Sequence, residues 1–185
     1  QALHPAMKYA MPARKEIGTK TIFNILGPLS NPAGASHQLV GVYEKRWAAL
    51  LAQVLRDLGT KHALVVFGED GLDEITTTAK TFVWEVKQGS IINYELIPES
   101  LGFKRAKLED LSGGLKEDNL KILVDILKAK KGPKRDIVVL NSAAAIYAAD
   151  RVKDIKEGLV LAEEAIDSGK AMEKLELLKR VTNEL

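Results

Sequence analysis

Residues 38–67 constrain the fold more than any other stretch of the chain. Gln38–Tyr43 (QLVGVY) has a strand pattern, Lys45–Leu58 carries apolar residues at Leu51, Val54, Leu55 and Leu58, and Ala63–Phe67 (ALVVF) is apolar throughout. Spacings of three and four put the stripe on one helical face. Gly59 stands where a helix ends in the left-handed conformation, which costs little without a Cβ. A short β-rich run with no polar alternation suits a strand covered on both faces, as in a parallel sheet. Strand, helix and strand in this order form a βαβ unit, which commits the chain to a sheet with helices packed on it.

The flanks extend that unit. Thr81–Val86 alternates with Phe82, Trp84 and Val86 on one face, Ser90–Ile97 alternates again, and Lys87–Gly89 between them predicts an antiparallel hairpin. Helices are predicted over Glu117–Ala129, striped by Leu120, Leu123, Val124 and Leu127, and over Ile155–Ser168 and Ala171–Val181, which separate at Gly169. Ile137–Leu140 reads as another buried strand, with Asn141 or Ser142 capping an alanine-rich helix after it. Near the amino end Ile22, Ile25 and Leu26 share a helical face, and Gly27-Pro28 is predicted to stop that helix, because proline lacks an N–H and disfavours helix in the residue before it. The fold class is α/β, with a mixed, mainly parallel sheet flanked by helices and a β-hairpin. At 185 residues and 46% hydrophobic, the chain is long and apolar enough to build such a core.

Composition narrows the function. The formal net charge of +2 provides no concentrated basic field, so a nucleic-acid partner is not expected. No apolar run approaches the roughly 20 residues of a membrane span, and no signal peptide is visible. With no cysteine there is no disulfide, thiolate nucleophile or cysteine zinc site, which fits a cytoplasmic protein. His4, His37 and His62 lack metal-ligand spacing, and Trp47, Trp84, Tyr94 and Tyr147 lack the spacing of a base-stacking platform.

Two places carry candidate chemistry. Asp73 and Glu74 end the sequence GEDGLDE (Gly68–Glu74), directly after the buried-type strand. Hard cations such as Mg²⁺ take carboxylate oxygens and keep waters and substrate phosphates as further ligands. In α/β sheets, ligands bind beyond the carboxyl ends of strands. From spacing alone an acidic surface turn is the commoner reading, because two adjacent acids are common. Arg14 can hold a carboxylate through two parallel hydrogen bonds, and His4 can donate to an anion or carbonyl, with Lys8 adding positive charge nearby. Each also fits an ordinary solvated or structural side chain.

These pieces together resemble the anthranilate phosphoribosyltransferases, of the nucleoside phosphorylase and phosphoribosyltransferase class. The likeness rests on HPAMK at His4–Lys8, ARKEIGTKTIFNILGPLSNPA at Ala13–Ala33, GVY at Gly41–Tyr43, GEDGLDE, and LNSAAAIYA at Leu140–Ala148, all in the family's order. It implies that Arg14 holds the anthranilate carboxylate, that Gly27 and Pro28 wall the anthranilate pocket with His4 nearby, and that Asp73 and Glu74 bind a Mg²⁺ associated with phosphoribosyl pyrophosphate. The implied reaction joins the anthranilate amine to the anomeric carbon and releases pyrophosphate, in tryptophan biosynthesis, within a homodimeric complete protein. The family's GTGGD-type loop and KHGNR-type motif do not occur in this sequence. The chain is therefore expected to be a C-terminal portion that is inactive alone. Residues 1–36 would form an acceptor-site segment packing on an absent helical domain, and residues 37–185 part of the phosphoribosyltransferase α/β domain. The alternatives are a pyrimidine nucleoside phosphorylase-like relative or a non-catalytic interaction module.

Overall fold

Four strands make one sheet in the order β1-β2-β3-β4: His37–Gly41, His62–Gly68, Thr81–Lys87 and Ser90–Leu96. The computed structural model describes residues 9, 12–13, 16–19, 21 and 24–184, and every structural statement concerns these. β1 and β2 run parallel with Val40 opposite Val65, β2 and β3 are antiparallel with Val66 opposite Val83, and β3 and β4 form the expected hairpin. Its two-residue turn places Gln88 at φ +50 and Gly89 at φ +78, the pair of positive angles whose twist matches that of the flanking strands.

The α/β class, the mixed sheet, the flanking helices and the hairpin all stand. The expectation of a mainly parallel sheet is corrected: one pairing is parallel and two are antiparallel. After β2 the chain doubles back, closed by a 2.9 Å bond from the Glu69 N–H to the Lys80 carbonyl, instead of crossing a sheet face as parallel pairing requires. Ile137–Leu140, expected as a strand, lies inside a helix, Pro133–Ala148. Pro133 takes the first helical position after Gly132, where its missing N–H costs nothing. A short apolar run has the same appearance in a buried helix as in a buried strand. Asn141 and Ser142 consequently lie mid-helix and cap nothing.

In chain order the described α-helices are α1 (Leu26–Leu29), α2 (Lys45–Asp57), α3 (Leu108–Leu111), α4 (Lys116–Leu127), α5 (Pro133–Ala148), α6 (Ile155–Asp167) and α7 (Lys170–Asn183). α1 runs through Gly27 and Pro28 instead of stopping there, because Pro28 falls in the first turn, where N–H groups have no intrahelical partner. α2 ends as expected. The Gly59 N–H donates to the Arg56 carbonyl at 2.9 Å and the Thr60 N–H to the Leu55 carbonyl at 3.0 Å, with Gly59 at φ +79. α6 starts on Asp154, whose carboxylate accepts the Glu157 N–H at 2.8 Å.

The sheet separates two cores. Ala63 and Val65 of β2 join Val40, Val42 and Val86 against Ala48, Leu51, Ala52 and Leu55 of α2. Leu64 and Val66 face the other way, with Val83 and Ile75, onto α5, α6 and Ile126 of α4. Successive side chains of β2 thus both meet protein, which accounts for the absence of polar alternation. The stripe expected on α4 is displaced: Ile126 and Ile122 pack inward, whereas Leu120 is 59% and Leu123 43% exposed.

Polar contacts lock the layers. Arg135 of α5, 2% exposed, donates to Asp167 of α6 at 2.6 Å. The fully buried His62 lies between Asp150 at 2.7 Å and Glu85 at 3.1 Å, and Tyr147 donates to Glu85 at 2.7 Å. His37 reaches the same Asp150 at 3.2 Å, so both histidines serve a network that ties β1, β2 and β3 to the end of α5.

Leu140→Ala, at a 1% exposed position, is expected to destabilise the fold by about 2–5 kcal/mol in urea titration. Hydrogen bonds from Lys131 and then Arg135 hold the Asp167 carboxyl below its ordinary pKa, so its contribution is present above the usual carboxylate range and lost as pH falls through the depressed value. Asp167→Asn is therefore expected to lower the urea midpoint at pH 7, with the gap to wild type closing in strongly acidic buffer.

Candidate functional site

The loop that leaves the carboxyl end of β2 carries four acids, and the structure divides them into two kinds. Asp70 is consumed internally. Its carboxylate accepts the Leu72 N–H at 3.1 Å and the Thr76 hydroxyl at 2.5 Å, and the Thr78 hydroxyl donates to the same oxygen. Glu69 is 3.7 Å from Lys80. Asp73 and Glu74 are exposed, and among the described residues no ion pair reaches either one. The loop folds this way because Gly71, at φ +92, closes a turn onto the Gly68 carbonyl at 2.9 Å while the Leu72 carbonyl accepts the Gly68 N–H at 2.8 Å. Ile75, wholly buried, then plugs the loop into the core shared with α5.

The electrostatics of the pair favour a cation. Partial burial, then the charges of Asp73 and Asp70, push the Glu74 carboxyl above its ordinary pKa. Its ionised form is therefore costly until a positive charge arrives. Two adjacent exposed carboxylates with no third ligand among the described residues suit Mg²⁺, which keeps waters and phosphate oxygens around it. Among the described residues no group of three or more His, Asp or Glu side chains has metal-holding geometry, so the chain offers these two oxygen donors and no closed protein cage.

Two neighbours set the loop's position, and neither is apparent from spacing. Asn141 on α5 bonds to both main-chain groups of Ile75 and approaches Glu74 at 3.3 Å. Gly41, at the end of β1, lies so close to the Asp73 carbonyl that a Cβ built there would sit 1.5 Å from the oxygen. The family-like strings GVY and LNSAAAIYA contain these residues, but nothing in either string shows that they converge on the acidic loop.

The remaining predicted residues fall elsewhere. Arg14 and His4, with Lys8, lie outside the described residues. Pro28 of α1 borders a cavity of about 240 Å³ lined also by Leu29, Ser36, Leu55, Gly59 and Thr60, and Gly27 precedes it in the chain. That cavity opens where β1 and β2 begin, since the Lys61 N–H donates to the Ser36 carbonyl there. Asp73 lies against the opposite end of β1. Four residues of strand separate the two places, about 13 Å. The structure thus brings Asp73 and Glu74 together with Gly41 and Asn141, and does not bring Gly27 and Pro28 to them.

Comparison with known proteins places these features in a family. The model of the "Glycosyl transferase family, a/b domain" matches residues 1–172. Anthranilate phosphoribosyltransferases are similar along nearly the whole chain. That of Thermoanaerobacter sp. (strain X514) is 55% identical over 93% of this chain and 51% of its own length, and that of Symbiobacterium thermophilum 50% identical over 100% and 54%. Among solved structures, the Thermus thermophilus enzyme superposes with a TM-score of 0.85 at 45% identity, covering 94% of this chain and 51% of that one. The Saccharomyces cerevisiae enzyme in complex with PRPP and Mg superposes at 0.86 and 30% identity, covering 98% and 53%. The same yeast enzyme has also been solved with 4-fluoroanthranilate. The chain spans about half the length of the curated relatives it matches.

Because the Glu74 pKa is raised, the fold is relatively stronger in acid and loses that advantage as pH rises through the raised value. Glu74→Gln is therefore expected to raise the thermal midpoint at pH 7 in metal-free buffer, by no more than the few degrees that about 1 kcal/mol is worth in a chain of this size. Added Mg²⁺ should then raise the midpoint of wild type but not of the variant.

Proposed function

The chain belongs to the glycosyl transferase family with this a/b domain, and on that premise we propose that it carries the cation-binding and acceptor-binding parts of an anthranilate phosphoribosyltransferase. The observation that carries the reading is the sorting of the acidic loop. Asp70 is bound internally and Glu69 is near Lys80, while Asp73 and Glu74 are exposed at the carboxyl end of β2, with no ion pair among the described residues.

In this reading Asp73 and Glu74 supply the protein oxygens for a Mg²⁺ that comes with phosphoribosyl pyrophosphate. When bound, that ion neutralises charge growing on the departing pyrophosphate. Arg14 pairs with the anthranilate carboxylate through its planar guanidinium, which orients the neighbouring amine, and His4 donates to the same anion. The amine nitrogen forms the new bond to the anomeric carbon, the carbon–oxygen bond to pyrophosphate breaks, and the amine loses a proton to solvent. No protein nucleophile takes part, so catalysis rests on holding the two reactants together and on charge compensation. The assignment of Arg14, His4, Gly27 and Pro28 to the acceptor pocket rests on the family resemblance, because Gly27 and Pro28 do not border the acid pair. Residues 1–36 form the acceptor segment and residues 37–185 belong to the α/β domain. The complete protein is a cytoplasmic homodimer of tryptophan biosynthesis, and this chain alone is inactive, since the family's phosphate-binding motifs are not in its sequence.

The reading is tested by supplying anthranilate, phosphoribosyl pyrophosphate and Mg²⁺ to the chain alone and to a full-length protein containing it. Only the full-length protein should form phosphoribosyl anthranilate, measured by chromatographic separation of product from anthranilate. Glu74→Gln should cut that rate by roughly 100-fold, the scale of losing one preorganised electrostatic contact. Rapid turnover by the chain alone would refute the proposed incompleteness, and an unaffected Glu74→Gln protein would refute the role of the acid pair.

A further inference from the structure

The acid pair does not hold itself in place. Asp73 and Glu74 are consecutive residues of a loop, and their oxygens can meet one ion only if the backbone at 73–75 is fixed. The structure fixes it from two sides. The Asn141 carboxamide accepts the Ile75 N–H on Oδ1 at 2.9 Å and donates from Nδ2 to the Ile75 carbonyl at 2.7 Å. Ile75 is fully buried and belongs to no strand, so Asn141 gives its main chain the two bonds a neighbouring strand would have given. The same Nδ2 also reaches the Ile137 carbonyl one turn back at 2.9 Å and Glu74 Oε2 at 3.3 Å. One N–H is spent on Ile75, and the other points between Ile137 and Glu74. The bonding pattern fixes the amide orientation, because the Ile75 N–H needs an acceptor and both carbonyls need donors. On the opposite side the Asp73 carbonyl lies against Gly41, where any side chain would collide.

From these contacts we propose that Asn141 is the positioning residue of the cation site: it pins Ile75 and turns the Glu74 carboxylate toward the ion that Asp73 shares. The inference rests on the reading of Asp73 and Glu74 as Mg²⁺ ligands. The residue type fits the task. A lysine or arginine at 141 would neutralise Glu74 and compete with the ion, and an aspartate would offer no N–H to Ile75 or Glu74. A neutral amide orients the carboxylate and leaves its charge for the metal. Partners of this kind behind a ligand alter metal affinity by about 10–100-fold.

The test measures Mn²⁺ binding to this chain by the electron paramagnetic resonance of the free ion, with wild type, Asn141→Ala, Asn141→Gln and Leu140→Ala compared. Leu140 is the neighbour of Asn141 on α5 and is buried in the core, so its truncation weakens the fold without touching the loop's polar contacts. Wild type is expected to bind Mn²⁺, Asn141→Ala to bind about 10–100-fold more weakly, and Leu140→Ala to bind as wild type does despite its lower melting point. Amide hydrogen exchange at Ile75 should quicken in Asn141→Ala at temperatures where β2 stays protected. Asn141→Gln keeps the amide but displaces it by one methylene. It should also bind weakly, and it serves if the alanine variant does not fold. Unchanged affinity in a folded Asn141 variant, or equal losses in Leu140→Ala, would overturn the positioning role while leaving the metal reading intact. No Mn²⁺ binding by wild type would overturn both.

Discussion

Burial of β2 on both faces and pairing on both its edges is the constraint from which the rest of the structure follows. Residues 62–66 are fully buried, β1 lies parallel on one side and β3 antiparallel on the other, and helices cover both faces. A strand in that position cannot slide, because a shift of one residue would exchange the side chains meant for α2 with those meant for α5. Its carboxyl end is therefore a fixed point, and the acidic loop begins there. The loop thus leaves from the strand whose register is fixed on both faces.

The loop spends part of its charge on folding and leaves part unspent. Asp70 organises two threonine hydroxyls and a backbone N–H, which converts one acid into scaffold. At Glu74, partial burial and then the like charges of Asp73 and Asp70 push the carboxyl above its ordinary pKa.

Much of this is readable in the sequence, and the failures have identifiable causes. The βαβ unit and the hairpin are legible because period-two and period-3.6 patterns there are long and flanked by glycine. The acid pair is legible as chemistry but not as a site, since two adjacent carboxylates look the same on any turn. Ile137–Leu140 reads as a strand because four apolar residues carry no usable period, and the Gly132-Pro133 helix start is the signal that decides against it. That strand reading hides Asn141, which looks like a cap and is a tertiary contact spanning 66 positions in sequence. Gly41 is hidden for a related reason. Nothing beside it reveals that another backbone, more than thirty positions away, presses on it. The stripe on α4 fails differently, since two helical faces both carry apolar residues and tertiary packing chooses Ile122 and Ile126 over Leu120 and Leu123.

The central claim is that the outward carboxylates at the end of β2 form a preset seat for a divalent ion. It is tested most directly by adding substoichiometric Mn²⁺ to the ¹⁵N-labelled chain and following paramagnetic broadening of amide signals. The account predicts that the amides of Asp73, Glu74 and Ile75, with Gly41 across from them, broaden first, together with the Asn141 side-chain amide. Broadening spread evenly over the acidic surface, or centred on a different cluster, would contradict it.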